Sequence, residues 1–304
     1  MGRIVITGGT GLIGRALAPR LLEAGHEVVI LSRRPGHVPP FPGRVNVVGW
    51  DGRTATGWGA LADGATAIVN LAGETIGRPP WTAARKGRIY QSRVDAGRAV
   101  VEAVTAARQK PLVLIQASGI GYYGCANGDE VVTEQTPAGD DFLARVCVDW
   151  EAATAEVEAM DVRRVILRNG VVLSGEGGAL PLFVLPFRYF AGGPTGNGRQ
   201  FMPWIHIADE VAAIRLLIER PDARGAYNLT APNPLTNADF SRAVGRALKR
   251  PSWLPMPAFA LELMLGDFAR LLLLGGQRAV PERLLALGYR FQFSEAEAAL
   301  KDLL

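Results

Sequence analysis

A doubly wound α/β fold, a parallel sheet with helices on both faces followed by a smaller, mostly helical C-terminal lobe, is what the sequence predicts. Three observations predict it. Short apolar, β-branched runs alternate with stretches whose apolar residues recur at helical spacing. Several of those runs, such as LVLIQ at 112–116 and AIVNL at 67–71, lack the period-two pattern of a half-exposed strand, as strands buried on both sides do. A glycine-rich turn joins the first run to the first helix.

Taken in order, Arg3 to Thr7 is the first strand, Leu12 to Ala24 an amphipathic helix stopped by Gly25, and Glu27 to Leu31 the second strand. Strands follow at Val45 to Val48, Ala67 to Leu71, Leu112 to Gln116 and Arg164 to Leu167. Between them lie helices from about Arg88 to Ala107 and from Phe142 to Met160. Beyond residue 170 the texture changes. Gly and Pro become frequent (GEGGALP, AGGPTGNGRQ, APNPLT), with helices at Ala208 to Glu219 and Asn237 to Ala247 and a mostly helical tail from Pro251 to Leu304. This predicts a body over residues 1–170, with segments around 200–230 returning to it, and a smaller lobe over 171–304. Ligands in such folds bind above the carboxyl ends of the strands.

The turn itself reads Thr7-Gly8-Gly9-Thr10-Gly11-Leu12-Ile13-Gly14. Gly8 permits the tight turn, Gly11 lets an anion approach the backbone, and Gly14 lets helix and strand pack closely. The helix N-terminus offers free N–H groups and a positive dipole end, so a pyrophosphate fits between Thr10 and Ile13. The second strand ends in Ser32-Arg33-Arg34, with no carboxylate to hold a ribose diol and two guanidiniums suited to a 2′-phosphate. The expected cofactor is therefore NADP(H). Trp50 and Asp51 at the end of the third strand are candidates to meet the adenine, and Asn70, Leu71, Ala72 and Gly73 close the fourth strand over the cofactor.

Composition narrows the class further. The 304 residues are 48% hydrophobic and 20% charged, the profile of a globular core. Only four of the 33 basic residues are lysine, and the arginines are spread along the chain, so the net charge of +4 comes without a basic run or a nucleic-acid motif. Two cysteines, Cys125 and Cys147, cannot make a disulfide framework, which suits a reducing cytoplasm. The most apolar stretch, Ala258 to Leu274, is interrupted by Glu262, Asp267 and Arg270 and is too short to span a bilayer. The expectation is a cytoplasmic monomer or homodimer with a small-molecule substrate and no metal, nucleic-acid or membrane partner.

The stretches TGGTGLIG, VNLAGETIG, WTAARKGRIYQSRV, ASGIGYYG, DFLARVCVDWEAA, RNGVVLSGEGGAL, GGPTGNGRQFMPWIHIADEV, YNLTAPNPLTNADF and GQRAVPERLLALGYRF run nearly end to end. Together they resemble an atypical extended short-chain dehydrogenase/reductase, of the epimerase-like family with a C-terminal helical segment of unassigned function. The resemblance implies a Rossmann domain, NADP(H) and a small substrate lobe. It also implies a Tyr acid/base with a Lys four residues later, and a hydroxyl at the end of the fifth strand that orients the substrate. No Tyr lies four residues before any of the four lysines. Glu151 resembles the Glu that follows that Lys by four residues, which puts Cys147 at the Lys position and Leu143 at the Tyr position. Cys147 reads as a buried small hydrophobe.

Substitute acids are then Ser118, at the end of the fifth strand, and Tyr122 and Tyr123 in the YG element that follows. Trp81, Arg85 and Lys86 after the fourth strand, and Arg199, Gln200 and His206 in the later loop, resemble substrate-facing positions. His206 equally suits a structural hydrogen bond at a helix start, and Asp209 a helix cap. Two functions remain open. One is an NADP(H)-dependent oxidoreductase or epimerase acting on a small carbonyl, alcohol or sugar-nucleotide compound with unconventional acid/base chemistry. The other is a catalytically silent NADPH-binding regulatory or cell-division-related interaction protein, as a plastid-division relative in the broad family suggests.

Overall fold

In the computed structural model, residues 2–125 and 128–304 are described. The chain opens with β1 (Arg3–Thr7), α1 (Leu12–Glu23), β2 (Glu27–Ser32), β3 (Asn46–Gly49), β4 (Ala67–Asn70), α2 (Ala83–Ala106) and β5 (Val113–Gly119). It continues through β6 (Val131–Val132), α3 (Phe142–Ala152), β7 (Arg163–Asn169), β8 (Val171–Ser174), β9 (Gly177–Gly178) and α4 (Leu180–Arg188). Then come β10 (Phe201–Met202), β11 (Trp204–His206), α5 (Ile207–Glu219), β12 (Gly225–Leu229), β13 (Leu235–Thr236) and α6 (Asn237–Leu248). The last elements are α7 (Ala258–Leu265), α8 (Asp267–Leu272), β14 (Arg278–Ala279), α9 (Glu282–Ala286) and α10 (Ala296–Leu303).

Seven strands form the main sheet in the order β12-β7-β5-β4-β1-β2-β3, every pairing parallel. β4 is buried at every position and β5 at all but its last, which is why neither alternates in the sequence. One face packs Ile4, Ile6, Leu17, Leu21 and Ile30 against Ile214 and Leu217 of α5. The other packs Val5, Val29 and Ile68 against Ala96, Val100 and Val104 of α2. Each fully buried Leu or Ile contributes about 1.5–3 kcal/mol of hydrophobic stabilisation. A third cluster, with Trp204, Phe240, Leu180 and Leu300, builds the smaller lobe.

Several boundaries differ from the sequence reading, two of them by several residues within a helix. α2 starts at Ala83, where the Thr82 hydroxyl caps it by accepting from Arg85 N, and not near Arg88. The helix expected to run to Met160 ends at Ala152 and resumes as a 3₁₀ turn at Ala155–Met160. That break sits where α3 meets α2: a Cβ on Gly97 would lie 2.7 Å from Ala153 Cβ, and the buried Thr154 turns its hydroxyl back to the Glu151 carbonyl. The tail is a series of short helices with one short strand, β14, paired with β6.

Candidate functional site

The turn after β1 has the geometry its glycines predict. Gly8 stands at φ +65°, and a Cβ there would fall 2.7 Å from the Leu71 carbonyl carbon. A Cβ on Gly9 would strike Ile30, and one on Gly14 would lie 2.5 Å from Gly9 Cα, so the turn is packed hard against the sheet. Gly11, by contrast, would meet only the Gly8 oxygen, at 3.2 Å. Gly11 is the N-cap of α1 and has no side chain to cap it, and the first turn carries no acidic residue. Thr10 and Gly11 are exposed, Leu12 and Ile13 half-buried. Gly11 N donates to the Gly8 carbonyl at 2.9 Å, and the next N–H groups of the helix start have no capping side chain among the described residues.

The rest of the rim is more self-contained. Ser32 is buried and accepts from Arg34 N at 3.2 Å, while both guanidiniums stand exposed and the Arg33 stem lies beside Gly52. Trp50 Nε1 donates to the Thr54 carbonyl. Asp51 accepts from Arg53 N, Thr54 N and the Thr54 hydroxyl, contacts that hold its carboxyl below the usual carboxylate range. Asn70 is fully buried: it accepts from the Thr7 hydroxyl at 2.5 Å and donates to Gln116 at 2.9 Å, tying together the carboxyl ends of β1, β4 and β5. Leu71 N and Ala72 N hang from Thr7, and Gly73 allows Arg93 to lie 3.1 Å from where a Cβ would stand. Arg93 donates to the Glu74 and Ile89 carbonyls and stacks on Trp150, and burial lowers its pKa to about 10. Sequence reasoning missed Thr7, Gln116 and Arg93; a polar residue at the end of an apolar strand run was the available signal for the first two.

At the end of β5 the structure brings Ser118 and Tyr123 into one network, and both hydroxyls are spoken for. Ser118 donates to Glu151 at 2.7 Å, and Glu151 forms a two-point ion pair with Arg168 at 3.0 Å on each arm. Arg168 also donates to the Tyr123 oxygen at 3.1 Å, and Tyr123 donates to Asn228 Oδ1 at 2.6 Å. Tyr123 is 2% exposed, and burial pushes its phenol up to about 12. Asn228 N in turn donates to Glu134, so the network ties β5, α3, β7 and β12 together. Leu143 is buried and packs beside Gly121, and the buried Cys147 thiol is pushed up to about 11 by desolvation. Tyr122 is the exception. It is half-buried, its ring lies 3.4 Å from Arg168 Cζ, and its hydroxyl has no hydrogen-bond partner among the described residues.

Most residues expected at the substrate are held by the fold. Trp81 is buried between Phe142 and Phe268 and donates to the Ile76 carbonyl. Arg85 donates to the Thr75 carbonyl, Lys86 pairs with Asp267, and Gln200 binds Thr195 and the Leu273 carbonyl. His206 caps α5 through Nδ1, which accepts from Ala208 N at 3.1 Å; its ring stacks on Phe293, with Nε2 3.3 Å from Asp302, and burial lowers its pKa. Asp209 does not cap its own helix. It accepts from Gln292 N, Phe293 N and the Tyr289 hydroxyl, pinning the C-terminal segment. Arg199 alone of the set stays exposed with its guanidinium unpaired among the described residues.

A parallel seven-stranded sheet with a glycine turn opening onto a bare helix start is the frame of a Rossmann-type α/β protein. More narrowly, the chain belongs to the NAD dependent epimerase/dehydratase family, whose profile matches residues 4–230. A domain of unknown function matches residues 256–303, the segment Asp209 pins. The chain is 40% identical to a Bos taurus epimerase family protein, SDR39U1, over 99% of both chains. It is 39% identical to the Bacillus subtilis epimerase family protein YfhF, over 99% of this chain and 97% of that one. The crystal structure of human epimerase family protein SDR39U1 (isoform2) with NADPH superposes with a TM-score of 0.87 at 36% identity, covering 99% of this chain and 98% of that one.

Proposed function

We propose that the chain binds NADP(H) and exchanges hydride with a small carbonyl or alcohol compound, without the usual phenol–ammonium pair. The observation that carries this reading is the uncapped start of α1 in a turn that admits no Cβ at Gly8, Gly9 or Gly14. The human relative solved with NADPH supports it. In this reading Leu12 and Ile13 donate backbone N–H groups to the pyrophosphate, Gly11 lets it approach the backbone while its own N–H stays on the Gly8 carbonyl, and Thr10 borders it. Arg33 and Arg34 take the 2′-phosphate with Ser32 holding the turn, the Trp50–Asp51 corner borders the adenine, and Asn70 to Gly73 flank the ribose. The cofactor, when bound, supplies hydride at its nicotinamide ring. The body over residues 1–170, rejoined by 200–230, would hold it, and the lobe over 171–304 would meet the substrate.

The proton has to come from elsewhere than in most of the family. Leu143 has no proton to give, and Cys147, Ser118 and Tyr123 are closed in. Tyr122 is the one hydroxyl of the expected set with no protein partner among the described residues, and the Arg168 guanidinium lies 3.4 Å over its ring and fixes its place. We therefore assign it the proton and assign Arg199 to the substrate. Sugar-nucleotide epimerisation is a sub-case that needs the same group as a base. The second reading, a silent NADPH-binding regulatory protein, is favoured by the internal use of Ser118 and Tyr123.

An absorbance screen of NADPH against small carbonyls tests the choice. Turnover that Tyr122→Phe lowers by about 10²-fold or more, with NADPH affinity retained, is the expected result. Turnover unaffected by Tyr122→Phe removes the assignment. Tight NADPH binding with no turnover on any compound selects the silent reading.

A further inference from the structure

In the smaller lobe a basic cleft and an exposed apolar ridge adjoin. The cleft, about 420 Å³, is lined by Arg242, Gly245, Arg246, Lys249, Arg250 and Ser252, with no carboxylate among them. Arg242 pairs with Asp239 and Arg246 with Glu297, which leaves Lys249 and Arg250 without an acidic partner among the described residues. The Ser252 hydroxyl is buried and has no hydrogen-bond partner among the described residues. Beside it, Tyr189, Phe190, Trp253 and Phe259 are 77, 54, 64 and 76% exposed. Arg250 Cζ lies 4.4 Å over the Phe190 ring, and Trp253 Nε1 donates to the Phe190 carbonyl, so ridge and cleft are one surface. Leu182, Leu185 and Tyr189 extend the ridge along α4, and Leu263 along α7.

The backbone marks the same place. Three described non-glycine residues have positive φ, and two of them, Phe190 at +59° and Lys249 at +55°, belong to this surface. Each ends its helix in the position where glycine is preferred: Ala191 N reaches back to the Pro186 carbonyl after α4, and Arg250 N to the Gly245 carbonyl after α6. A bulky aromatic held in that conformation and left largely exposed is strain without a packing return, a mark of a functional position. The dipole at the end of α6 accounts for cations there. It does not account for an exposed Trp and Phe beside them or for an unpartnered hydroxyl in the cleft.

We propose that this surface docks on an anionic phospholipid membrane, a lipid phosphate entering the cleft between Lys249, Arg250 and Ser252 while Phe190, Trp253 and Phe259 enter the headgroup–acyl boundary. Charge complementarity selects this occupant: cations without acidic partners face a phosphate, and exposed aromatic side chains beside them suit the headgroup–acyl interface. The contact is peripheral, since no helix of the described residues is long and apolar enough to cross a bilayer.

Co-sedimentation with phosphatidylcholine vesicles, with and without phosphatidylglycerol, tests the proposal. The full chain should bind the anionic vesicles, release them at high salt, and leave the neutral ones in solution. Lys249→Ala with Arg250→Ala should weaken binding by about 30-fold, from the usual contribution of each basic residue at an anionic surface. Phe190→Gly relaxes the strained turn, so it should raise thermal stability while weakening vesicle binding. A purely structural Phe190 would not separate those two readouts. No binding to anionic vesicles overturns the proposal. Binding that survives both sets of changes places the contact elsewhere and overturns it too, as does equal competition by inorganic phosphate, which would make the cleft a site for a free anion. A dimer that Phe190→Gly dissociates, with vesicle binding unchanged, would make the ridge a contact between copies and likewise overturn it.

Discussion

The turn after β1 and the segment after β5 sit at the same edge of the sheet and are built in opposite ways. Gly11 leaves the start of α1 with no capping side chain and no acidic first turn, so the N–H groups that follow it have no side-chain partner among the described residues. Ser118, Tyr123, Glu151 and Arg168 spend their donors and acceptors on one another, under a surface that leaves Tyr123 2% exposed. A buried polar group without a partner costs free energy, so a fold leaves donors bare where a ligand supplies the partner and closes them where none does. The difference teaches that one sheet edge can carry both a turn left open and a polar network closed on itself.

Four changes break or sharpen that comparison. Glu151→Ala leaves the Arg168 guanidinium buried and unpaired, and should destabilise the chain by about 3–5 kcal/mol in a urea titration, with NADPH affinity per folded molecule unchanged. Next comes Glu210, in the first turn of α5, fully buried with both carboxylate oxygens unpartnered among the described residues; desolvation raises its pKa to about 8. The folded state then keeps a proton that the unfolded chain has lost, so stability falls as pH rises from about 4.5 to about 8. Glu210→Gln should flatten that slope, and an unchanged slope would refute the buried carboxyl as its cause. Arg33→Asp should weaken NADPH by about tenfold, with NADH unchanged or tightened, in calorimetry. Tyr123→Phe should cost only about 1–2 kcal/mol of stability, for the acceptor and donor it strands, and leave nucleotide binding alone.

The two regions also differ in how much of them the sequence reveals. The motif is eight consecutive residues from the end of a strand to the first turn of a helix, so spacing alone reads its shape. Leu143 and Cys147 are equally plain from their offset to Glu151. The network is not legible this way. Its members come from β5, the turn after it, α3, β7 and β12, and only the fold carries Arg168 and Asn228 to the phenol. Trp81, Arg85 and Gln200 look available in sequence because no residue pattern announces their partners; Ile76 and Phe268, Thr75, and Thr195 and Leu273 occupy them in the fold. The aromatic ridge was hidden for the converse reason: an apolar tail reads as core, and only the packing leaves Trp253 and Phe259 outside it.

The most direct measurement is calorimetric titration of the unmodified chain with NADPH and with NADH. The bare helix start and the exposed Arg33 and Arg34 predict saturable 1:1 binding of both, with NADPH at least about tenfold tighter. Equal affinities would contradict the role of the two arginines. An absence of binding by either nucleotide would contradict the role of the turn, and with it the central claim.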